Sequence, residues 1–129
     1  VVSRFNTAGI FSTLKLFPRP RESSEVIRIL RSVRDLTQTL PDCLGCWLDE
    51  GGYLQRPLLY VEQWESEGAL HKHLRSDLYS RLLVAMELSA KPPELCFHYV
   101  SETKGIGLVQ EIRQGPNNRT NYVYALDNS

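Results

Sequence analysis

Leu58-Leu59-Tyr60-Val61-Glu62-Gln63-Trp64-Glu65-Ser66-Glu67-Gly68-Ala69-Leu70-His71-Lys72-His73-Leu74-Arg75-Ser76 changes period part-way, and that change decides the fold. Residues 58–64 read as a strand that is apolar on both faces at its start, as a strand inside a sheet is. Glu65-Ser66 ends it. Ser66 can cap a helix running to about residue 89, whose inner stripe is Leu70, Leu74, Leu78, Leu82, Ala85 and Met86, with a re-cap or kink at Ser76-Asp77. Lys91-Pro92-Pro93 stops that helix.

Working outward, Thr13-Leu14-Lys15-Leu16-Phe17 alternates like a half-buried strand, and Pro18 and Pro20 end it because neither carries a donor N–H. From Ser23 or Ser24 as N-cap, apolar residues recur at Val26, Ile29, Leu30, Val33, Leu36 and Leu40 with helical spacing, until Pro41. Residues 43–49 form a strand closed by Glu50-Gly51-Gly52, where glycine supplies positive φ. Residues 94–101 form a fourth strand, and a short helix is expected over residues 104–113. The tail from Gly115 carries Tyr122, Val123 and Tyr124 and is either frayed or an arm that pairs with something.

The resulting order, β-α-β-β-α-β, is the split arrangement of a ferredoxin-like α+β domain: an antiparallel sheet with both helices on one face. The other face is then uncovered. The Leu58/Tyr60 and Leu59/Val61 sets cannot both face water, so two sheets are expected to meet face to face in a homodimer. The expected organisation is an arm over residues 1–11, the domain over 12–104, and a helix and tail over 105–129.

Composition narrows the function classes. The 129 residues are 42% hydrophobic, enough for one core, so a disordered chain is excluded. Fifteen Lys and Arg balance 15 Asp and Glu, and a chain without net charge lacks the field that drives binding to a phosphate backbone. No apolar run approaches the about 20 residues of a membrane span. Residues 1–11 hold one Arg and no long apolar stretch, so a cytoplasmic location is expected. Cys43, Cys46 and Cys96 are odd in number and read as free thiols. Cys43-Leu44-Gly45-Cys46 has CxxC spacing, but it lies in a strand and no second pair follows it at zinc-site spacing.

The stretch from Tyr60 to Ser76 resembles the signature of the antibiotic biosynthesis monooxygenase family: a strand ending in Glu-x-Trp, an Ala-Leu pair, and a helix His nine residues beyond the Trp. Pro41-Asp42-Cys43-Leu44-Gly45-Cys46 is similar to the Pro-Gly-Cys-Leu-Gly-Tyr that leads into that family's second strand. The likeness covers about residues 12–104. Two positions depart: Asp77-Leu78-Tyr79 stands where the family often has Pro-His-Phe, and Cys46 stands where it has Tyr. The resemblance implies a dimeric α/β barrel with a pocket for an aromatic small molecule. The activity it implies is cofactor-independent oxygenation of a hydroquinone-like or polycyclic phenolic substrate. Since the family is mixed, it leaves open a non-catalytic binding or sensing module and, third, heme binding or degradation.

Cofactor-free oxygenation needs a base, a hydrogen-bonding group for the phenol and a dry aromatic cavity. His73, whose ordinary pKa of about 6.5 suits a base, and Trp64 are the catalytic candidates. Tyr60 and Glu62, on the strand face of Trp64, join Leu74 and Tyr99 as candidates for substrate contact. Each has a structural reading beside the functional one: a boundary imidazole, a core indole, a Glu paired with Arg or Lys across the sheet, and strand tyrosines. His71 lies about 200° round the helix from His73, so the two are not a metal pair and no metal is expected. His98 faces away from Phe97 and Tyr99 and is an unplaced third candidate. Lys104-Gly105-Ile106-Gly107 lacks the dinucleotide-loop spacing, no Gly-x-Ser-x-Gly elbow exists, and the sequon Asn118-Arg119-Thr120 reads as accidental.

Overall fold

The computed structural model describes residues 9–51 and 57–115. The elements are β1 (Gly9–Leu16), α1 (Ser23–Thr37), β2 (Cys43–Asp49), β3 (Leu58–Trp64), α2 (Glu67–Leu74), α3 (Asp77–Glu87), β4 (Glu94–Val100) and α4 (Ile106–Gln114). The four strands form one antiparallel sheet in the order β2-β3-β1-β4, the ferredoxin-like topology. Contacts divide the chain into two units, one spanning 8–101 and holding the sheet with α1 to α3, the other holding α4. The readings of the tail tyrosines and of the sequon lie outside the described residues. No helix among the described residues is long and apolar enough to cross a membrane.

Two expectations are corrected, and the choice between re-cap and kink at Ser76-Asp77 is decided. β1 begins at Gly9, within the stretch assigned to an arm, because Ile10 and the polar Ser12 both turn inward and the buried serine hides the alternation. The N-cap of α1 is Glu22, which makes no side-chain cap bond, while the Ser23 hydroxyl donates to the Arg19 carbonyl. The expected helix over residues 66–89 is two helices. Ser66 caps α2 by accepting from the Ala69 N–H at 3.1 Å, and Ser76 caps α3 by accepting from the Tyr79 N–H at 3.2 Å, so the second cap restarts the helix rather than kinking it.

Register sorts the side chains into two faces. Cys46, Glu62, Ser12 and Phe97 lie in one row on the helix side, and Leu48, Tyr60, Leu14 and Leu95 in the next. Leu14, Leu16 and Tyr60 pack there against Val26, Leu30, Val33, Leu82 and Ala85 of the helices, forming the main core. Ile10, Trp64, Ala69 and Leu70 make a smaller cluster at the Trp64 end of β3. The opposite face carries Trp47, Val61, Thr13 and Cys96 in one row, with Phe11 and His98 in the row beside it. None of the helices of this unit packs on that face, and Trp47 stays 50% exposed.

Candidate functional site

Alternation along β3 turns Leu58, Tyr60, Glu62 and Trp64 to the helix side, and all four are buried. Glu62 is wholly inaccessible, an expensive position for a carboxylate unless donors surround it. Three do. The Tyr60 hydroxyl donates to Oε2 at 3.1 Å, Trp64 Nε1 donates to Oε1 at 3.0 Å, and His73 Nε2 lies 3.0 Å from Oε2. The Cys46 thiol donates in turn to the Tyr60 hydroxyl at 3.1 Å, extending the chain to β2. Among the described residues, Glu62 therefore pairs with none of the Arg or Lys expected across the sheet.

His73 reaches Glu62 because α2 starts directly after β3 and runs back over it, so that the imidazole, 3% exposed, lies against the indole. Its ring is 4.4 Å from Trp64 at a tilt of 35°, and the Tyr79 ring stands nearly perpendicular to it, 5.4 Å away. An ionised carboxylate can only accept, so Nε2 carries the proton in the bond to Glu62. In the neutral ring this leaves Nδ1 with a lone pair, and Nδ1 is buried without a hydrogen-bond partner among the described residues.

His73 and Trp64 line a cavity of about 170 Å³. Its apolar walls are Leu40, Pro41, Ala69 and Leu78, and Asp42, Lys72 and Ser76 complete it. Of the six residues singled out from the sequence, these two alone reach the cavity. Tyr60 and Glu62 stand behind them, holding the ring rather than touching the space. Leu74 is half-buried between the two apolar clusters, its place at the wall taken by Leu78. Tyr99 is 57% exposed on the edge strand, where its hydroxyl meets Glu67 and its pKa is raised by that bond. His98 is on the open face and bonds Thr13 Oγ1 at 3.1 Å.

Sequence reasoning missed Tyr79 and the loop residues Leu40 to Asp42. Spacing within α3 could have marked Tyr79, three residues after its cap, but only the tertiary fold brings it to His73.

Electrostatics mark the region as dry. Burial pushes the Cys46 thiol up to about 12 and the Tyr79 phenol to about 12, the Glu62 charge adding to both. Burial, then the same charge, raises Tyr60 well above the ordinary phenol range. Cys43 is also raised, chiefly by burial, so neither thiol of the CxxC pair is a thiolate at neutral pH. Among the described residues no three His, Cys, Asp or Glu side chains gather as a metal site.

No protein-family model and no curated protein matches the sequence. Solved structures do. A protein of Mycobacterium tuberculosis is similar at 19% identity over 75% of this chain and 99% of its own, with a TM-score of 0.67. An antibiotic biosynthesis monooxygenase matches at 16% identity over 69% of this chain and 95% of its own, with a TM-score of 0.62. A Deinococcus radiodurans protein provisionally given the same name matches at 19% identity over 75% and 97%, with a TM-score of 0.64. At such identities the likeness is one of backbone, and this chain has the fold of the antibiotic biosynthesis monooxygenases.

Proposed function

We propose that the chain is a cofactor-independent monooxygenase of a hydroquinone-like substrate, with His73 as base. The observation that carries this reading is the buried Glu62–His73 pair, bonded through Nε2 at 3.0 Å, with Nδ1 unpartnered in a residue that lines an apolar cavity. A carboxylate behind an imidazole fixes its tautomer and stabilises the imidazolium formed when the far nitrogen takes a proton. A phenolic hydroxyl entering the cavity would give its proton to Nδ1. The electron-rich anion left behind can reduce O2 itself. For the simplest ring, one benzohydroquinone and one O2 give one hydroxybenzoquinone and one water. One oxygen atom forms a new ring C–O bond in place of a ring C–H, the other leaves as water, and all the electrons come from the ring. No other reductant is needed.

Volume favours a single ring over the polycyclic phenols and over a porphyrin. An apolar cavity of about 150 Å³ is known to hold benzene, whereas pockets for drug-sized ligands run from about 300 Å³. Trp64 serves as wall and as donor to Glu62. Two copies of the chain meeting through the open sheet face, each with its own cavity, complete the proposal; the apolar row of Trp47 and Val61 supports it.

Oxygen uptake tests the activity, with a panel of benzohydroquinones, naphthohydroquinones and anthrones against the rate without protein. Wild type should accelerate a single-ring substrate, and His73→Ala should lose about 10²- to 10⁴-fold of that acceleration, the usual weight of a general base. Ligand-dependent stabilisation with no uptake for any compound would instead make the chain a binding module.

A further inference from the structure

We infer that the cavity takes a zwitterion at its mouth: a dihydroxyphenyl ring bearing an α-amino acid end, with its carboxylate on Lys72 and its ammonium on Asp42. The inference rests on the reading of the cavity as an oxygenase site and names the substrate class for it.

The polar groups of the cavity are few enough to assign one by one. Ser76 is already committed, since its hydroxyl donates to the His73 carbonyl at 2.6 Å and accepts from the Tyr79 N–H. Three of the other lining side chains, His73, Lys72 and Asp42, remain. The His73 side chain is buried, while Lys72 and Asp42 are exposed, so the imidazole lies inside and the two charges lie at the entrance. Lys72 comes from α2 and Asp42 from the turn between Pro41 and β2, where its backbone carbonyl, not its carboxylate, holds the Glu65 N–H at 3.1 Å. Neither side chain has an ion pair or hydrogen bond among the described residues, and the two do not pair with each other although they line the same small space.

Opposite charges held apart at one entrance select by exclusion. A carboxylate on Lys72 alone would sit beside the Asp42 carboxylate, and an amine on Asp42 alone would sit beside the Lys72 ammonium. Each singly charged ligand thus meets one attraction and one repulsion. An α-amino acid end meets two attractions. The ring must fill the apolar part against Leu40, Ala69 and Leu78, with a hydroxyl directed to the imidazole of His73, an arrangement that suits a phenyl ring with ring hydroxyls opposite a short side chain.

Anaerobic calorimetry with four probes tests this: catechol, 3,4-dihydroxyphenylacetate, dopamine and 3,4-dihydroxyphenylalanine. The amino acid should bind about tenfold more tightly than catechol, as two partly exposed ion pairs allow, and more tightly than either singly charged probe. Lys72→Met should narrow the gap between the amino acid and dopamine about threefold, and Asp42→Asn the gap between the amino acid and dihydroxyphenylacetate by a similar factor. Catechol binding as tightly as the amino acid, a singly charged probe binding best, or no binding by any of the four would each overturn the inference. Oxygen uptake on the same probes separates the two readings. The expected binding order without uptake removes the oxygenase and keeps the zwitterion site; uptake on catechol without that order does the reverse.

Discussion

Glu62 is the residue on which the site turns, because its two oxygens gather Tyr60, Trp64 and His73 at about hydrogen-bond distance from one inaccessible point. Replacing it by Gln keeps the size but presents an amide N–H₂ to groups that are themselves donors. Glu62→Gln should therefore cost about 1–3 kcal/mol, read as a lowered urea midpoint with unchanged slope. The phenol and thiol around it make a second prediction. Cys46 and Tyr79 ionise ordinarily at 9.0 and 10.0 but at about 12 in the folded chain, so between those values the folded state holds protons that the unfolded chain has lost. Stability is then full below pH 9 and falls as pH rises towards 12, by at most about 1.4 kcal/mol per pH unit for each group. Cys46→Ala should flatten that decline in denaturation curves taken from pH 8 upward; an unchanged slope would remove Cys46 from the account. Period-two reading had already set Tyr60, Glu62 and Trp64 on one face. It could not join Cys46 to them, since a bulge between Cys43 and Gly45 resets which residues of β2 point inward.

At the level of elements, punctuation was legible and partnership was not. Pro18, Pro41 and Pro92-Pro93 fall outside the regular elements, and the strand bounds at residues 43–49 and 58–64 follow directly from them and from the Gly51 turn, where φ is 79°. The place of the break between α2 and α3 was legible at Ser76-Asp77, but not whether it was a re-cap or a kink, because the apolar stripe continues through Leu74 and Leu78 as if one helix carried it. The caps decide it: Ser66→Ala and Ser76→Ala should each cost about 1 kcal/mol. Ser76→Ala should also disturb His73, whose carbonyl takes the Ser76 hydroxyl at 2.6 Å, so a change in cavity binding is expected for that variant alone. Gly45 marks another element-level contact. A Cβ there would run into the ring of Trp47, which covers it, so Gly45→Ala should swing that indole aside and shift its fluorescence without touching the cavity.

For the whole molecule, the two faces of the sheet carry different side chains. The helix side holds the hydrogen-bonded groups around Glu62 and the cavity lined by His73 and Trp64. The open side holds Trp47, Val61 and Phe11, and the apolar composition of residues 58–61 that first suggested pairing lies half on that side. Left against water, a contiguous apolar row of this kind is costly. Light scattering should therefore return about twice the 14.8 kDa of the chain at micromolar concentration, and Val61→Arg, which sets a charge at the middle of the row, should return about 14.8 kDa. Because no cavity residue lies on the open face, the same variant should keep its ligand affinity per chain. Loss of binding together with the dimer would mean that the partner contributes to the site, and a wild-type monomer would mean that the row is covered in some other way.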